Sequence, residues 1–425
     1  MTRNEITTAG VTMERVLQEE NLRAAWVAVR RNDGAPGVDG RDITDSREYI
    51  RQHWPELATK LQNGCYTPGA VRSVNIPKAS GGTRTLGIPN VLDRVIQQAI
   101  HQQLSPVWEP EFSDHSYGFR PNRSAHDAVR AGQRYVSAGK HWVVDLDLKS
   151  FFDRVNHDLL MHLVARKIRD KRLLGLIGDY LRAPMQTTEG RQPKRQQGTP
   201  QGGPLSPLLA NIYLDPLDKE LEKRGLSFVR YADDIAIFVS SQRSAERVLA
   251  SVIAWIEKHL KVEVNRDKSG SGPSDRSSLL GFRLYADQRL GVAPKAIQQF
   301  KQKVRELWEA RQNRTSKQLR DQWLRYSHGW WNYFQLADWR REVTNLSGWI
   351  RRHIRKCFWL RWRTPLGRIN ALRRLGVSGR ALGLGYCRRG AWAMATHARV
   401  QQALNNHTLT RYGFILPWSF AAARK

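Results

Sequence analysis

Two adjacent aspartates lie between two apolar runs in FVRYADDIAIFV, residues 228–239. Both runs are rich in alternating β-branched and aromatic residues, which predicts a strand on each side. The Ala-Asp-Asp link predicts a tight turn, so the stretch is expected to form a hairpin with two like charges at its tip. Because each carboxylate raises the free energy of ionising its neighbour, the tip is either an exposed turn or a site for a divalent cation.

A third aspartate is expected to join that tip. The stretch HWVVDLDL predicts a short strand that carries Asp147 at its end, so Asp147 can meet Asp233 and Asp234. Three carboxylates at two strand ends suit Mg²⁺, and two such ions roughly 4 Å apart can activate a 3′-hydroxyl and stabilise a departing pyrophosphate. Asp145, on the same strand face, and Asp153 compete for the ligand role.

Three further stretches are candidates for a substrate pocket. In IPKASGGTRTLGIP, Lys78 and Arg84 flank a Gly-Gly turn and can contact a triphosphate, although a solvated charged hairpin has the same pattern. In QGTPQGGPLSP, glycines permit close backbone approach to a ligand and Gln201 offers donors, although an irregular connection would look alike. Phe151 and Phe152 line either a pocket beside the metal ions or the core.

Helix signals follow these stretches. Ser206 is expected to cap a helix with Pro207 at its first position, and Pro216 is expected to kink or restart that helix. From Pro294 onward the pattern is almost wholly helical. Helices are predicted in the segments FKQKVRELWEA, KQLRDQWLRYSHGWWNYFQLA and WIRRHIRKCFWLRW.

Positive charge is concentrated at one end of the chain. Lys and Arg number 69 against 39 Asp and Glu, and residues 291–425 hold 27 of the former and 5 of the latter. The same region holds 10 of the 15 tryptophans. Because neutralised phosphates release counterions, this asymmetry favours polyanion binding over a merely solubilising surface.

The remaining composition indicates a reducing compartment. There is no apolar run long enough to span a membrane and no apolar N-terminal signal region. The three cysteines, Cys65, Cys357 and Cys387, form no CxxC pair, which favours neither disulfides nor a zinc site. A bacterial cytosolic location, associated with nucleic acid, is the expectation.

Together, in this order, the motifs resemble the reverse transcriptases encoded by bacterial group II introns, the intron maturases. The similarity extends from about residue 14 to at least residue 375. The blocks that carry it are RNDGAPGVDG, IPKASGGTRTLGIPNVLDRVIQQAI, HSYGFRPNRSAHDAV, VVDLDLKSFFDRVNH, QGTPQGGPLSPLLANIYLDPLD, RYADDIAIFV, VNRDKSG and LLGFRL.

This resemblance implies a role for each matching residue. The catalytic, metal-binding carboxylates would be Asp147, Asp233 and Asp234, with the Leu148 carbonyl completing the metal shell. The residues that contact the incoming nucleotide would be Lys78 and Arg84 on its triphosphate, Phe152 as a steric gate against a 2′-hydroxyl, Gln201 over the nascent base pair, and Lys268.

The implied fold is an α/β (α+β) right-hand polymerase followed by a helical domain. Residues 1–110 would form the fingers, 111–290 the palm with fingers insertions, and 291–375 the thumb or maturase (X) domain. Residues 376–425 would form a basic region that binds DNA, or a surface helix with solvated arginines. The expected nucleic-acid contacts of the thumb are Arg351, Arg352, Arg355, Lys356, Arg361 and Arg363.

The implied activity is RNA-directed DNA polymerisation with two Mg²⁺ ions, or Mn²⁺ as a substitute. The expected partners are intron RNA, a DNA primer or target, and dNTPs. The chain stops at WSFAAARK without paired cysteines, so an endonuclease-lacking type that takes its primer from elsewhere is expected. Two alternatives are an RNA-binding splicing factor without polymerase activity, and a related reverse transcriptase recruited to repair, defence or template-directed diversification.

Overall fold

The computed structural model describes residues 10–77, 82–339 and 342–422. Its chain forms two compact units, Met1–Ser277 and Ser278–Lys425. The finer division into fingers, palm, thumb and C-terminal region stays a prediction.

Several helices of the first unit begin at short polar side chains. Asp42, Ser124, Asn156, Asp170 and Ser241 each accept a hydrogen bond from a backbone N–H of the following helical turn, which satisfies a donor that has no partner inside the helix. The helices are α1 (Met13–Val16), α2 (Glu19–Asn32), α3 (Ile43–Gln62), α4 (Val91–Trp108), α5 (Ala125–Ser137), α6 (Phe151–Arg154), α7 (His157–Ala165), α8 (Lys171–Arg182), α9 (Ser206–Lys223) and α10 (Gln242–His259).

The strands of the first unit form two four-stranded sheets. They are β1 (Val71–Pro77), β2 (Thr83–Ile88), β3 (Trp142–Asp147), β4 (Met185–Thr187), β5 (Gly190–Arg191), β6 (Ser227–Tyr231), β7 (Asp234–Val239) and β8 (Gly270–Pro273). One sheet has the order β6-β7-β3-β8, with antiparallel neighbours throughout, and the other has the order β2-β1-β4-β5.

The antiparallel sheet is the expected hairpin extended by the strand that carries Asp147. Strands β6 and β7 pair up to Tyr231 and Asp234, so only Ala232 and Asp233 form the turn. Helix α5 packs against β6, and α10 packs against β3 and β8. The five residues after Asp234 in β7 are all buried, which accounts for their continuous apolar run.

The predicted glycine-flanked ribbon is an antiparallel hairpin of β1 and β2. Its register places Ile76 opposite Arg84 and Pro77 opposite Thr83. Residues 78–81 and the Arg84 side chain lie outside the described part of the chain. The structure therefore gives this ribbon its strands but not the position of its Lys78 cation.

The glycine-rich loop 197–205 packs against that ribbon through its backbone. Gly87 of β2 donates its N–H to the Gln201 carbonyl at 2.8 Å. Gly202 has φ +135°, and a Cβ built on it would lie 2.4 Å from the Gly87 carbonyl oxygen. A residue with a side chain could not adopt this contact without moving the loop or the strand.

Helix α9 corrects two expectations. Its first residue is Ser206, whereas Leu205 occupies the cap position, and the Ser206 hydroxyl donates to the Pro200 carbonyl at 2.7 Å. The hydroxyl therefore closes the preceding loop. Pro216 does not interrupt the helix, which runs on to Lys223. Its long buried face outweighs the roughly 3 kcal/mol that an internal proline costs.

The second unit is helical, as expected from Pro294 onward. Its elements are β9 (Phe282–Leu284), β10 (Leu290–Val292), α11 (Pro294–Leu307), α12 (Ser316–Phe334), α13 (Glu342–Arg361), α14 (Pro365–Arg374), a 3₁₀ helix (Gly379–Tyr386), α15 (Ala391–Met394), α16 (Ala398–Ala403), α17 (Asn406–Arg411) and α18 (Ser419–Ala422). The three predicted helices correspond to α11, α12 and α13.

Many tryptophans of this unit pack in its interior. Half of the ten in residues 291–425 are buried, namely Trp308, Trp323, Trp331, Trp339 and Trp359. A small core of Trp359, Leu372, Val377, Met394, Val400 and Ala403 joins α13 and α14 to the elements that follow them. The tryptophan excess is therefore in good part a packing feature, which the charge argument had not anticipated.

No helix in the described ranges is long and apolar enough to cross a bilayer.

Two glycine substitutions should shift stability in opposite directions. Gly202→Ala should lower the melting temperature, because its Cβ would collide with the Gly87 carbonyl. Gly175→Ala should raise the melting temperature, because alanine stabilises a helix by about 0.5–1 kcal/mol relative to glycine. Gly175 is exposed within α8, and a Cβ there meets nothing within 4 Å. Thermal unfolding followed by circular dichroism measures both, and equal melting temperatures for the two variants would contradict this account.

Candidate active site

The sheet register brings the three predicted aspartates to one edge. Asp147 ends β3 directly opposite Asp234, the first residue of β7. Asp233 precedes Asp234 in the two-residue turn. Directly opposed residues of antiparallel strands have Cβ atoms about 5 Å apart, so the carboxylates share one small region. Their assignment as catalytic residues stays a prediction that this arrangement suits.

The turn itself has an unusual backbone. Ala232 has φ +59°, a left-handed value that costs a residue with a side chain roughly 1–2 kcal/mol. The chain segment at Gly118 lies so close that a Cβ on that glycine would be 2.3 Å from the Ala232 nitrogen. Two hydrogen bonds hold this segment to β6: Tyr117 N–H donates to the Arg230 carbonyl at 2.8 Å, and Arg230 N–H donates to the His115 carbonyl at 2.9 Å.

A buried arginine anchors the turn. The Arg230 guanidinium donates to both carboxylate oxygens of Asp218 at 2.7 and 2.5 Å, and the two side chains are fully buried. It also donates to Asn211 Oδ1 at 2.9 Å and to the Ala232 carbonyl at 3.1 Å. Asn211 in turn donates to the Gly118 carbonyl at 2.9 Å. One network thus fixes both the turn and the segment beside it.

Asp147 is held from a different direction. Its backbone N–H donates to the Ser269 hydroxyl at 2.9 Å, and its carbonyl accepts from the Asn265 N–H at 2.8 Å. The Lys268 ammonium lies 3.6 Å from Asp147 Oδ2. Leu148 and Val264 form an antiparallel bridge whose hydrogen bonds are made by their neighbours: Lys149 N–H donates to the Glu263 carbonyl, and Asn265 N–H donates to the Asp147 carbonyl. Neither of these two bonds uses the Leu148 carbonyl.

The electrostatics of the site favour a cation. Partial burial and the negative charges of Asp233 and Asp147 together raise the pKa of Asp234 to about 6, although the Lys268 ammonium opposes the shift. The Asp234 side chain nevertheless remains exposed, so it is open to a ligand from solvent. Carboxylates that destabilise one another's charge in this way are stabilised by a bound divalent ion.

Asp145 differs from the other three strand-end candidates. Burial raises its pKa to about 7, with a smaller effect from the Asp234 charge. It lies inside the sheet, paired with Ala236 on one side and Gly270 on the other. Because a metal ligand must be deprotonated, a carboxyl whose pKa is raised in this way is a weak metal ligand. Asp153 lines a separate polar cavity with Gln201.

The oxygen donors fit Mg²⁺, although the site is open. In the parts of the chain that the structure describes, no three His, Cys, Asp or Glu side chains already converge on a common metal position. Mg²⁺ is usually bound by one or two carboxylates together with waters and substrate phosphates, so an all-protein cage is not required.

Two cavities meet at Gln201. One, of about 480 Å³, is lined by Arg94, Phe119, Phe152 and Gln201, among others. The other, of about 710 Å³, is polar and is bounded by β1, β2 and the glycine-rich loop. Gln201 lines both, so a group in either cavity would meet this side chain.

Phe152 is a fixed part of the smaller cavity wall. Its ring packs edge-on against Phe151, with centroids 5.3 Å apart, and only 8% of the residue is exposed. Its carbonyl accepts the Thr199 N–H at 2.6 Å, which ties the aspartate motif to the glycine-rich loop. A pocket position and a core position were the two alternatives predicted for this ring. The ring lines the cavity and also packs in the core.

The predicted thumb cations have mixed surroundings. Arg355 is buried and donates to the Leu404 carbonyl at 3.0 Å. Arg352 stacks on Trp392 at 4.0 Å, and Arg361 donates to the Arg314 carbonyl at 2.6 Å. These three support the fold of their own unit, whereas Arg363 is exposed and Arg351 and Lys356 are partly exposed. Nucleic-acid contact by the six stays a prediction.

The Arg230 network is not among the features predicted from the sequence. The available signal was an arginine inside the apolar run FVRY, since a charge in a buried strand needs a partner. Its partners Asp218 and Asn211 lie on α9, and nothing local in the sequence links them to β6.

Two family models match the chain. The model described as reverse transcriptase (RNA-dependent DNA polymerase) matches residues 76–284. The model described as group II intron, maturase-specific domain, matches residues 297–376.

Individual proteins give the same result. Protein YkfC of Escherichia coli (strain K12) is 34% identical over 310 residues, which cover 63% of this chain and 81% of YkfC. Group II intron-encoded protein LtrA of Lactococcus lactis subsp. cremoris is 41% identical over 208 residues. That match covers 48% of this chain but only 34% of LtrA.

Solved structures are more distant. The telomerase of Candida albicans, solved with a TWJ fragment of telomeric RNA, covers 89% of this chain and 68% of its own at 13% identity, with a TM-score of 0.47. A partial Cas6-RT-Cas1–Cas2 complex covers 60% of this chain and 44% of its own at 25% identity, with a TM-score of 0.38.

Removing one partner of the buried ion pair should be worse than removing both. Arg230→Met leaves Asp218 buried without its cation and should lower the free energy of unfolding by about 3–5 kcal/mol. The double variant Arg230→Met/Asp218→Leu should recover most of that loss, as measured by thermal unfolding. It should still show faster amide hydrogen exchange in residues 231–235, because the Ala232 carbonyl has lost its donor.

Arg230→Lys is the matched control, since it keeps the charge but not the fork of donors. Its stability should fall between wild type and Arg230→Met. A double variant as unstable as the single one would show that the unpaired charge is not the cause.

Proposed function

Because this chain belongs to the reverse transcriptase family and carries the group II intron maturase-specific domain, we propose that it is an RNA-directed DNA polymerase that copies intron RNA and assists its splicing. The observation that carries this proposal is the convergence of Asp147 and Asp234 across the β3–β7 ladder, with Asp233 in the adjoining turn. The substrates and partners are part of the proposal, because the region aligned with LtrA covers only 34% of that protein.

Reverse transcriptases are metal-dependent nucleotidyltransferases, generally with Mg²⁺. We assign the metal-holding role to Asp147, Asp233, Asp234 and the Leu148 carbonyl. Two bound Mg²⁺ ions, or Mn²⁺, would lower the pKa of a primer 3′-hydroxyl and neutralise the pyrophosphate that leaves. Ala232 and the Arg230 network beneath it keep the carboxylates of Asp233 and Asp234 in place, so little reorganisation is needed when substrate binds.

The two cavities at Gln201 suit a nucleotide and its template partner. The Phe152 ring closes the smaller cavity where a ribose 2′-hydroxyl would project, which would select dNTPs. Gln201 would contact the new base pair from the loop, and Lys268 would balance charge next to Asp147. We assign triphosphate contacts to Lys78 and Arg84 on the strength of the sequence resemblance.

The second unit supplies the maturase role in this proposal. Residues 291–425 carry a net charge of +22, which favours contact with a phosphate backbone. Intron RNA, a DNA primer or target, and dNTPs are the proposed partners, and the bacterial cytosol is the proposed location.

A splicing factor without polymerase activity is the main rival. Burial, followed by the negative charges of Asp233 and Asp147, raises the pKa of Asp234, and this argues against the rival because an unused group of carboxylates would destabilise the fold. The rival predicts RNA binding without nucleotide incorporation, so the two are separable by experiment.

Asp233→Asn should abolish primer extension while leaving RNA binding intact. On an RNA template with a DNA primer, dNTPs and Mg²⁺, the rate should fall on the order of a thousandfold or more, since each metal contact supplies several kcal/mol. The control Asp287→Asn removes an exposed carboxylate that pairs with Arg289, and it should extend normally. If wild type, Asp233→Asn and Asp287→Asn are equally inert yet bind intron RNA, the polymerase proposal fails.

Phe152→Val should relax the choice of sugar. Loss of the ring removes the barrier to a 2′-hydroxyl, so the ratio of dNTP to rNTP incorporation should drop by at least about tenfold in single-nucleotide extension. Phe152→Tyr keeps the ring and should keep the ratio. An unchanged ratio in Phe152→Val would remove Phe152 from the gate role.

A further inference from the structure

The second unit contains a groove of about 460 Å³ that the polymerase site does not use. Helices α12, α13 and α14 form one side, and residues 404–414 form the other. The groove is lined by Ser316, Lys317, Arg320, Phe358, Trp362, Ala371, Arg374, Leu375, Leu404, Leu409, Tyr412 and Phe414.

The floor of the groove is apolar and firmly packed. Phe358 and Phe414 meet edge to face with ring centroids 5.3 Å apart, and Trp308 backs both rings. Leu404 and Leu409 are 4% and 2% exposed. Because these side chains are already ordered by their packing, a ligand that contacts them would lose little free energy in ordering them.

The rim of the groove is aromatic and cationic. Tyr412 is 47% exposed, and the Arg411 guanidinium lies 5.3 Å from its ring centroid. Lys317 and Arg374 are exposed at the edges. Arg320 also lines the groove, but its charge is offset by Asp321 at 2.7 Å. No lining residue among those described is a carboxylate.

An aromatic floor with a basic rim matches a nucleotide better than a peptide. A base can stack on the exposed Tyr412 ring while its flanking phosphates meet the lysine and arginine, and both contacts tolerate any base. A peptide of complementary charge would bring carboxylates to the rim but would not need an exposed ring beside the cations. A base inside a double helix is paired and stacked on its neighbours, so it cannot enter the groove. The nucleotide that binds must therefore be unpaired.

We propose that this groove binds an unpaired nucleotide of RNA, with its base on Tyr412 and the apolar floor and its phosphates along Lys317 and Arg374. The choice of RNA over DNA rests on the proposed function, because α12, the C-terminal part of α13 and α14 lie within the residues that match the maturase-specific domain. The groove is a second nucleic-acid site, separate from the carboxylate cluster in sequence and in fold.

The test measures RNA binding while the polymerase site is occupied. The full chain is saturated with an RNA–DNA primer–template, and the anisotropy of a fluorescent, unstructured 12-nucleotide RNA is then followed. Tyr412→Ala should weaken binding of this RNA about tenfold, the loss expected for one stacked base, whereas Tyr412→Phe should bind like wild type. Tyr386→Ala is the matched control, since Tyr386 is 62% exposed and lies outside the groove.

The charge component is tested separately. The double variant Lys317→Gln/Arg374→Gln should reduce the slope of log affinity against log salt by about 1.4, because each single-strand phosphate contact contributes about 0.7. Tyr412→Ala should leave that slope near its wild-type value. Primer extension on a short template should be unchanged in all these variants, which separates failure of the groove from failure of the polymerase proposal.

Three outcomes would overturn the inference. The first is equal RNA affinity of wild type and Tyr412→Ala. The second is a loss of affinity in Tyr386→Ala as large as that in Tyr412→Ala. The third is tighter binding of a DNA oligonucleotide of the same sequence than of the RNA, which would assign the groove to DNA.

Discussion

The turn that carries Asp233 depends on an ion pair that is fully buried beneath it. Arg230 lies among apolar residues of β6, and its two hydrogen bonds to the Asp218 carboxylate offset the free-energy cost of burying its charge. Once the guanidinium is fixed, its remaining N–H groups reach Asn211 and the Ala232 carbonyl. The strained turn and the repelling carboxylates at its tip can persist because the structure beneath them is rigid in this way.

The glycines of the same unit serve a related purpose. At Gly118 and Gly202, backbone approaches backbone where no side chain would fit. The first contact holds the Ala232–Asp233 turn against the segment at Gly118, and the second holds the β1–β2 hairpin against the glycine-rich loop. Gly87 lines the larger of the two cavities at Gln201 and Gly202 lines the smaller one, so the second contact forms part of both walls.

Much of this could be predicted from sequence, for identifiable reasons. The hairpin, the Asp147 strand and the helices from Pro294 onward follow from periodicity, which is a local signal. The partners of Arg230 could not be predicted, because a strand sequence does not reveal which helix will cover it. Ser206 and Pro216 misled because local cap and proline rules gave way to a loop contact and a buried helix face. The side-chain positions of Lys78 and Arg84 lie outside the described residues, so their roles remain predictions.

The buried tryptophans of the second unit have an optical consequence. Ten of the fifteen indoles belong to residues 291–425, and half of those ten lie in its interior. Intrinsic emission from this protein therefore reports mainly on one of its two units, whereas far-ultraviolet dichroism reports on both. Comparing the two signals during denaturation would show whether the units lose their structure together or in turn, without attaching a label to either.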